Sequence, residues 1–258
     1  RDRSFMVQTL VVPVVVVTMQ MMINPALARG IATDQRHACA FAFGIGAYTM
    51  LSTAFCALAV EGPSLWMLFA APRSISRILL SKTALWGTIA CVYAITALLM
   101  LAEPLHFTLA GWGMLAVALI GIVIHAFIAV AIGSLTTNPF AADRRQRLSP
   151  GAMYLFMLIA AAYGFILYRD SVSAQIAQIT LAILLAVALW QKLHDRLPYL
   201  LDPVAAPPPR IGFSDGIIAV LVFFLLQGLT MQVTADSGLS LGSRVTIAFV
   251  VAGTLVTV

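Results

Sequence analysis

The chain has 258 residues, 61% of them hydrophobic and 10% charged, with a formal net charge of +5 and a mean hydropathy of +0.99. Soluble domains run at about 45 to 50% apolar and roughly 25% charged, so this composition excludes a water-soluble globular protein and predicts a polytopic membrane protein. The alternating pattern of a membrane β-barrel is missing, which leaves an all-α transmembrane helical bundle as the expected fold class.

A helix needs about 20 apolar residues to cross a hydrocarbon core of roughly 30 Å, because its backbone polar groups must be satisfied inside the segment. Runs that meet this condition lie at 5–23, 38–60, 83–102, 109–135, 151–168, 173–191 and 216–235, with another from 245 to the end. The expectation is seven spans plus a truncated eighth. Opening on Arg1 and stopping at Val258 in mid-run, the chain reads as a fragment of something longer. With the N-terminus cytoplasmic, eleven Lys or Arg fall on inner segments and four, Arg29, Arg36, Arg169 and Arg244, on outer ones, which follows the positive-inside rule. Topology thus accounts for the net charge, and a nucleic-acid partner is not implied.

The first run is longer than a signal-peptide core of about 7 to 15 residues and contains Gln8, Pro13 and Gln20, so Ala-Leu-Ala at 26–28 is not read as a cleavage site. Cys39, Cys56 and Cys91 are odd in number and lie in or beside spans. They read as small packing residues, with neither a disulfide frame nor a metal spacing. Ala38, Ala42 and Gly46 place small residues on one face of the second span, the pattern of close helix approach.

The stretch "EGPSLWMLFAAPRSISRILLSK" at 61–82 interrupts this apolar sequence. Gly62-Pro63 ends the second span, since Pro cannot continue the hydrogen-bond ladder. Leu65, Trp66, Leu68 and Phe69 recur at helical spacing as an apolar stripe, and Pro72 suits the first turn of a second helical piece. In that piece Ile75, Ile78 and Leu79 share one face while Arg73 and Arg77, one turn apart, share another. Two short amphipathic helices are predicted. They either lie in the head groups, with Trp66 in the aromatic belt, or form a knob that docks into a cytoplasmic partner and is steered by the arginines.

Polar residues at membrane depth are candidates for a transport path: His125 in the fourth span, with Gln8 and Gln20 in the first. For His125 the competing account is a neutral ring in one interhelical hydrogen bond. Glu103 and Asp170, at predicted outer span ends, read as solvated caps. From 198 on, "PYLLDPVAAPPPRIGFSDG" packs five prolines into a polar stretch, a stiff linker. Ser214 is a plausible N-cap, with Asp215 in the first turn of the next helix. The predicted organisation is a six-span bundle at 1–197, a Pro-rich cytoplasmic linker at 198–215, and the start of a second membrane module at 216–258.

The run at 61–82 resembles the E-G-x-x-L-W-x-L-x-x-x-P loop between spans 2 and 3 of ABC-2-type exporter permeases, in particular their sodium-exporter-like branch. Glu61, Gly62, Leu65, Trp66, Leu68, Pro72, Ser74, Leu79, Leu80 and Lys82 match. "RDRSFMVQTLVVPVVVV" at 1–17 is similar to that family's first span, and "TNPFAADRRQRLSPGAMYLFML" at 137–158 to its loop before span 5; the elbow helix expected before Arg1 is missing. The resemblance covers roughly residues 1–195. It implies a bacterial plasma (inner) membrane permease, in a homodimer or paired with another permease. Its 61–82 loop is a coupling helix that contacts a separate ATPase carrying the ATP and magnesium, and Glu61, Gly62, Leu65, Trp66, Leu68, Phe69, Pro72, Arg73, Arg77 and Lys82 form the contact.

The residues agree in part. A phosphate-cradling G-x-x-x-x-G-K-[ST] is absent at both Lys82 and Lys192, so ATP chemistry is expected on another polypeptide and none on this chain. No H-E-x-x-H occurs, and no hydrolase nucleophile is assigned. "FSDGIIAVLVFFLLQGLTMQV" resembles the opening span of a CAAX-type intramembrane protease, which gives the alternative: a membrane protease or scaffold. The Glu-Glu pair of such proteases is not present, since Glu61 and Glu103 are the only glutamates; the catalytic part of this alternative lies beyond Val258.

Overall fold

The computed structural model describes residues 25–70, 74–101, 107–141, 147–168, 172–200 and 213–233, with single positions at 11, 15, 19, 23, 243, 246, 247, 250 and 251. Its elements are all helical: α1 Pro25–Thr33, α2 Gln35–Ser52, α3 Leu65–Ala70, α4 Ile75–Leu101, α5 Leu109–Thr136, α6 Pro150–Tyr168, α7 Val172–Arg196 and α8 Phe213–Val233, with 3-10 turns at Gly62–Ser64 and Leu197–Tyr199.

Helix α5 is the axis of the bundle. It starts at an N-cap, Thr108, whose hydroxyl accepts from Gly111 N at 3.2 Å, and it packs against α2, α4, α6 and α7. Of its most apolar stretch 61% is buried, against 28% for α4. The side of α4 that faces away carries Leu85, Val92 and Leu99, seven residues apart and more than half exposed. Such a row is at home against lipid and out of place in water. Small residues let α5 and its neighbours approach closely: a Cβ on Gly46 of α2 would stand 2.6 Å from Ile122 Cδ1, and one on Gly121 would run into the Tyr163 ring. Ala38 and Ala42 are buried with Gly46, so the small face read on the second span is a core contact.

Four helices among the described residues are long and apolar enough to cross a membrane: Ile75–Met100, Leu109–Thr136, Pro150–Tyr168 and Val172–Tyr199. The chain is therefore a multi-pass α-helical membrane protein, and its described residues hold four such spans in place of the seven predicted. The run at 5–23 and the run from 245 lie largely outside the described residues. The predicted span at 38–60 is helical only to Ser52, and α8 contributes a shorter apolar stretch, Asp215–Gly228.

At the end of α2 the hydrogen bonding changes character. Thr53 Oγ1 and Ser52 Oγ both donate to Thr49 O, at 2.7 and 2.8 Å. Phe55 N then reaches Met50 O at 2.9 Å, one residue wider than an α-turn, and residues 53–61 continue as turns. They remain inside the protein, with Ala54, Phe55, Ala57, Leu58 and Ala59 buried.

Two further expectations change. The second amphipathic piece is no separate helix: from Ile75 it runs unbroken into the third predicted span, because nothing between Ile75 and Thr83 breaks a helix. Ser214 lies inside the first turn of α8 instead of ahead of it, while Asp215 is in that turn as predicted. Helix α8 packs on α6 and α7 and adds Leu221, Val222, Leu225 and Leu226 to the common core. The proline-rich stretch 201–212 lies outside the described residues.

Candidate docking face and buried histidine

Side-chain contacts sort the helix ends into two groups. At one end the start of α4 meets the end of α7 through Ser76 Oγ and His194 Nδ1 at 3.0 Å, and Lys192 of α7 pairs with Asp215 of α8. At the other end Thr108 Oγ1 donates to Gln35 Oε1 at 2.9 Å, and His37 stacks edge-on with Tyr168 at 4.6 Å. The first group collects segments that charge bias assigns to the inner side.

Residues 53–64 sit at that end. Leaving the α-helical ladder exposes backbone carbonyls that need partners, and long basic side chains supply them. Lys82 Nζ, from α4, donates to Ala57 O at 3.0 Å and pairs with Glu61. Arg147, from the connection between α5 and α6, donates through Nη1 to Ala59 O at 3.2 Å and through Nε to Ala141 O at 2.8 Å. Both ends of the Lys82–Glu61 pair are partly open to solvent, so the ion pair by itself adds little, in the range of about 0 to 1 kcal/mol. Arg147 is only 8% exposed, and its hydrogen bonds are of the charge-assisted, stronger kind.

Gly62 turns the chain at this point with φ +47, and a Cβ there would run into the Arg147 guanidinium. The 3-10 turn leads into α3, six residues long. Leu65 is buried at 2% exposure and Leu68 packs against the core, while Trp66 and Met67 stand 58% and 54% exposed. Of the predicted apolar stripe, Leu65 and Leu68 thus face the core while Trp66 is presented, joined by Met67 from outside the stripe. Arg77 is exposed on the first turn of α4. Of the predicted contact residues, Glu61 and Lys82 are paired, Gly62 lies against Arg147, Leu65 and Leu68 pack on the core, and Trp66 and Arg77 are exposed. The Phe69 side chain, Pro72 and Arg73 lie outside the described residues, as do Gln8, Gln20, Glu103 and Asp170.

Sequence reasoning passed over Arg147 as a site residue. In "RRQRLSPG" it is one of three arginines, and nothing in the letters separates a bracket from two loop charges.

His125 is fully buried in α5, between the rings of Phe43 of α2 at 5.1 Å and Tyr163 of α6 at 5.0 Å, with Phe156 at 6.3 Å. Its Nδ1 bonds Gly121 O at 2.8 Å, within its own helix. The bond between helices is made by Tyr163, whose hydroxyl donates to Val117 O at 2.8 Å. Phe43 and Phe156 also wall an apolar cleft of about 290 Å3 between α2 and α6, beside Gly44, Tyr48, Met157 and Gly164.

This setting packs the ring against three aromatic neighbours. Replacing a buried polar group by an apolar one of similar shape is nearly neutral when its partner is not left unsatisfied, and Gly121 O lies within α5, where the helix ladder serves it. His125→Leu is therefore expected to hold or raise the melting temperature in detergent, with Tyr163→Phe lower by an amount matching roughly 0.6 kcal/mol, the mean for a hydrogen bond between membrane helices. Scanning fluorimetry of the two variants checks the order.

Among the described residues no three His, Cys, Asp or Glu side chains are grouped to hold a metal ion. The letters G-x-S-x-G do occur, at 212–216 and 238–242. That chemistry needs a serine on a tight strand-to-helix turn. Ser214 is inside a helix and the described residues contain no strand; 238–242 fall outside them.

No protein-family model, curated protein or solved structure matches the chain. The fold defines its class, a multi-pass helical membrane protein.

Proposed function

We propose that the chain is the membrane subunit of an ATP-driven exporter, docking a separate ATPase through α3 and the turn before it. The observation that carries this reading is the presentation of Trp66 and Met67, each more than half exposed on a short helix. Lys82 and Arg147 brace the root of that helix from two other parts of the bundle. An element that only floated in the head groups has no need of a braced root, whereas a surface that takes load from a partner does. The resemblance of 61–82 to the coupling loop of ABC-2-type permeases supports the same assignment, and ATP and magnesium belong to the partner, this chain having no phosphate loop. In this reading closure of two ATPases on nucleotide pulls the inner loops of two permeases together, and rigid spans carry the displacement outward. The membrane is the plasma membrane, with α3 facing the cytoplasm.

Aromatic anchors at the centre of an interface contribute about 2 kcal/mol or more. Trp66→Ala is thus expected to reduce capture of an ATP-hydrolysing partner from detergent extracts by roughly thirtyfold, and Arg77→Glu to slow association. Capture unchanged by both substitutions overturns the proposal, and so does labelling of Met67→Cys by a membrane-impermeant maleimide applied from the outer side of intact cells.

A further inference from the structure

We infer that Arg147 is a positioning residue that makes 53–64 and the described parts of the next inner connection, 137–141 and 147–149, move as one piece, so that load on α3 reaches the junction of α5 and α6 as well as α4. This rests on the reading of α3 as a docking element.

The geometry is that of a bracket. The guanidinium spans 88 positions of sequence to hold Ala59 O, while its Nε holds Ala141 O in its own connection. The Arg147 backbone carbonyl accepts from Asn138 N at 3.0 Å, which ties the end of α5 to the residue that carries the side chain. Two residues before Ala59, Ala57 O is held by Lys82 of α4. Successive outward carbonyls at the root of α3 are therefore gripped from two different parts of the bundle. A planar fork with separate donors fixes two acceptors at once and loses less freedom per bond than a flexible ammonium. Gly62 fits the same account, since its bare α-carbon leaves the guanidinium its seat.

The test uses the full chain in lipid nanodiscs with spin labels at Met67→Cys and Phe140→Cys, two exposed positions, one on each connection. A narrow distance distribution is expected in the parent, and a broad one in Arg147→Gln and in Arg147→Lys, which keeps the charge and the fold but not the fork. With the partner added, Arg147→Lys is expected to retain capture, while ATP turnover stimulated by the permease falls by roughly tenfold, the loss of one charge-assisted hydrogen bond. Equal widths in parent and Arg147→Lys, or full stimulation in that variant, overturn the inference and leave docking at Trp66 untouched. Capture that survives Trp66→Ala overturns the docking reading instead, and the label widths still decide whether the two connections are one body.

Discussion

Gly133→Ala is expected to destabilise the bundle, although alanine is the better helix former. A Cβ at Gly133 of α5 would land on the backbone carbonyl of Phe55, inside any permitted contact. A side-chain tip could swing away. A peptide group in a buried turn cannot, so the 53–61 segment or α5 itself has to shift. Overpacking of this kind costs about 1 to 3 kcal/mol, whereas the gain in helix propensity is at most about 1 kcal/mol, so the steric term wins and a Val or Leu does worse. The internal control is Gly113 on the same helix, where a Cβ meets nothing within 4 Å; Gly113→Ala should be neutral or slightly stabilising. Thermal unfolding in one detergent, with both variants side by side, gives the sign, and a Gly133→Ala protein as stable as Gly113→Ala defeats the packing argument.

Gly62→Ala should be the second severe change, for two separable reasons. Its φ of +47 lies in the left-handed region, which costs a residue with a Cβ roughly 1 to 2 kcal/mol. The same Cβ evicts the Arg147 guanidinium, and hydrogen bonds to a charged group are worth about 1.5 to 3 kcal/mol when lost. Asn tolerates the left-handed region but still carries a Cβ, so Gly62→Asn recovers the conformational part alone. A small recovery is expected, because Arg147 holds two carbonyls. In the double variant Gly62→Ala with Arg147→Ala the losses should fall well short of additive, as neighbours in one network do. Full rescue by Asn would show that the turn, and not the bracket, sets the cost.

The parts of the fold that were legible in the sequence are those set by unbroken apolarity. The predicted runs at 109–135 and 151–168 became Leu109–Thr136 and Pro150–Tyr168, since nothing within them competes with the helix and lipid forbids open backbone. Lower legibility begins where hydroxyls, charges and turns meet. Hydropathy carried the second span through to 60, but the helix ends at Ser52 and the chain goes on in turns that stay buried. Hydropathy counts carbon and does not tell a buried turn from a helix. The 61–82 motif singled out Glu61 and Lys82 separately, and the structure adds that they pair. It did not tell that Leu65 is buried and Trp66 presented, because a six-residue helix is turned by its anchors more than by its own pattern. Arg147 was out of reach for a simpler reason: its partner Ala59 O is a backbone atom 88 positions away, and backbone acceptors leave no mark in side-chain letters.

That separation also orders biogenesis. The carbonyl at Ala59 leaves the ribosome long before the guanidinium that satisfies it, while the ammonium for Ala57 follows after only 25 positions. The end of α2 can be half finished once the next helix is made, yet it takes its final shape only after α5 is complete and Arg147 has been added. Until then the Ala59 carbonyl lacks the partner that the finished fold gives it.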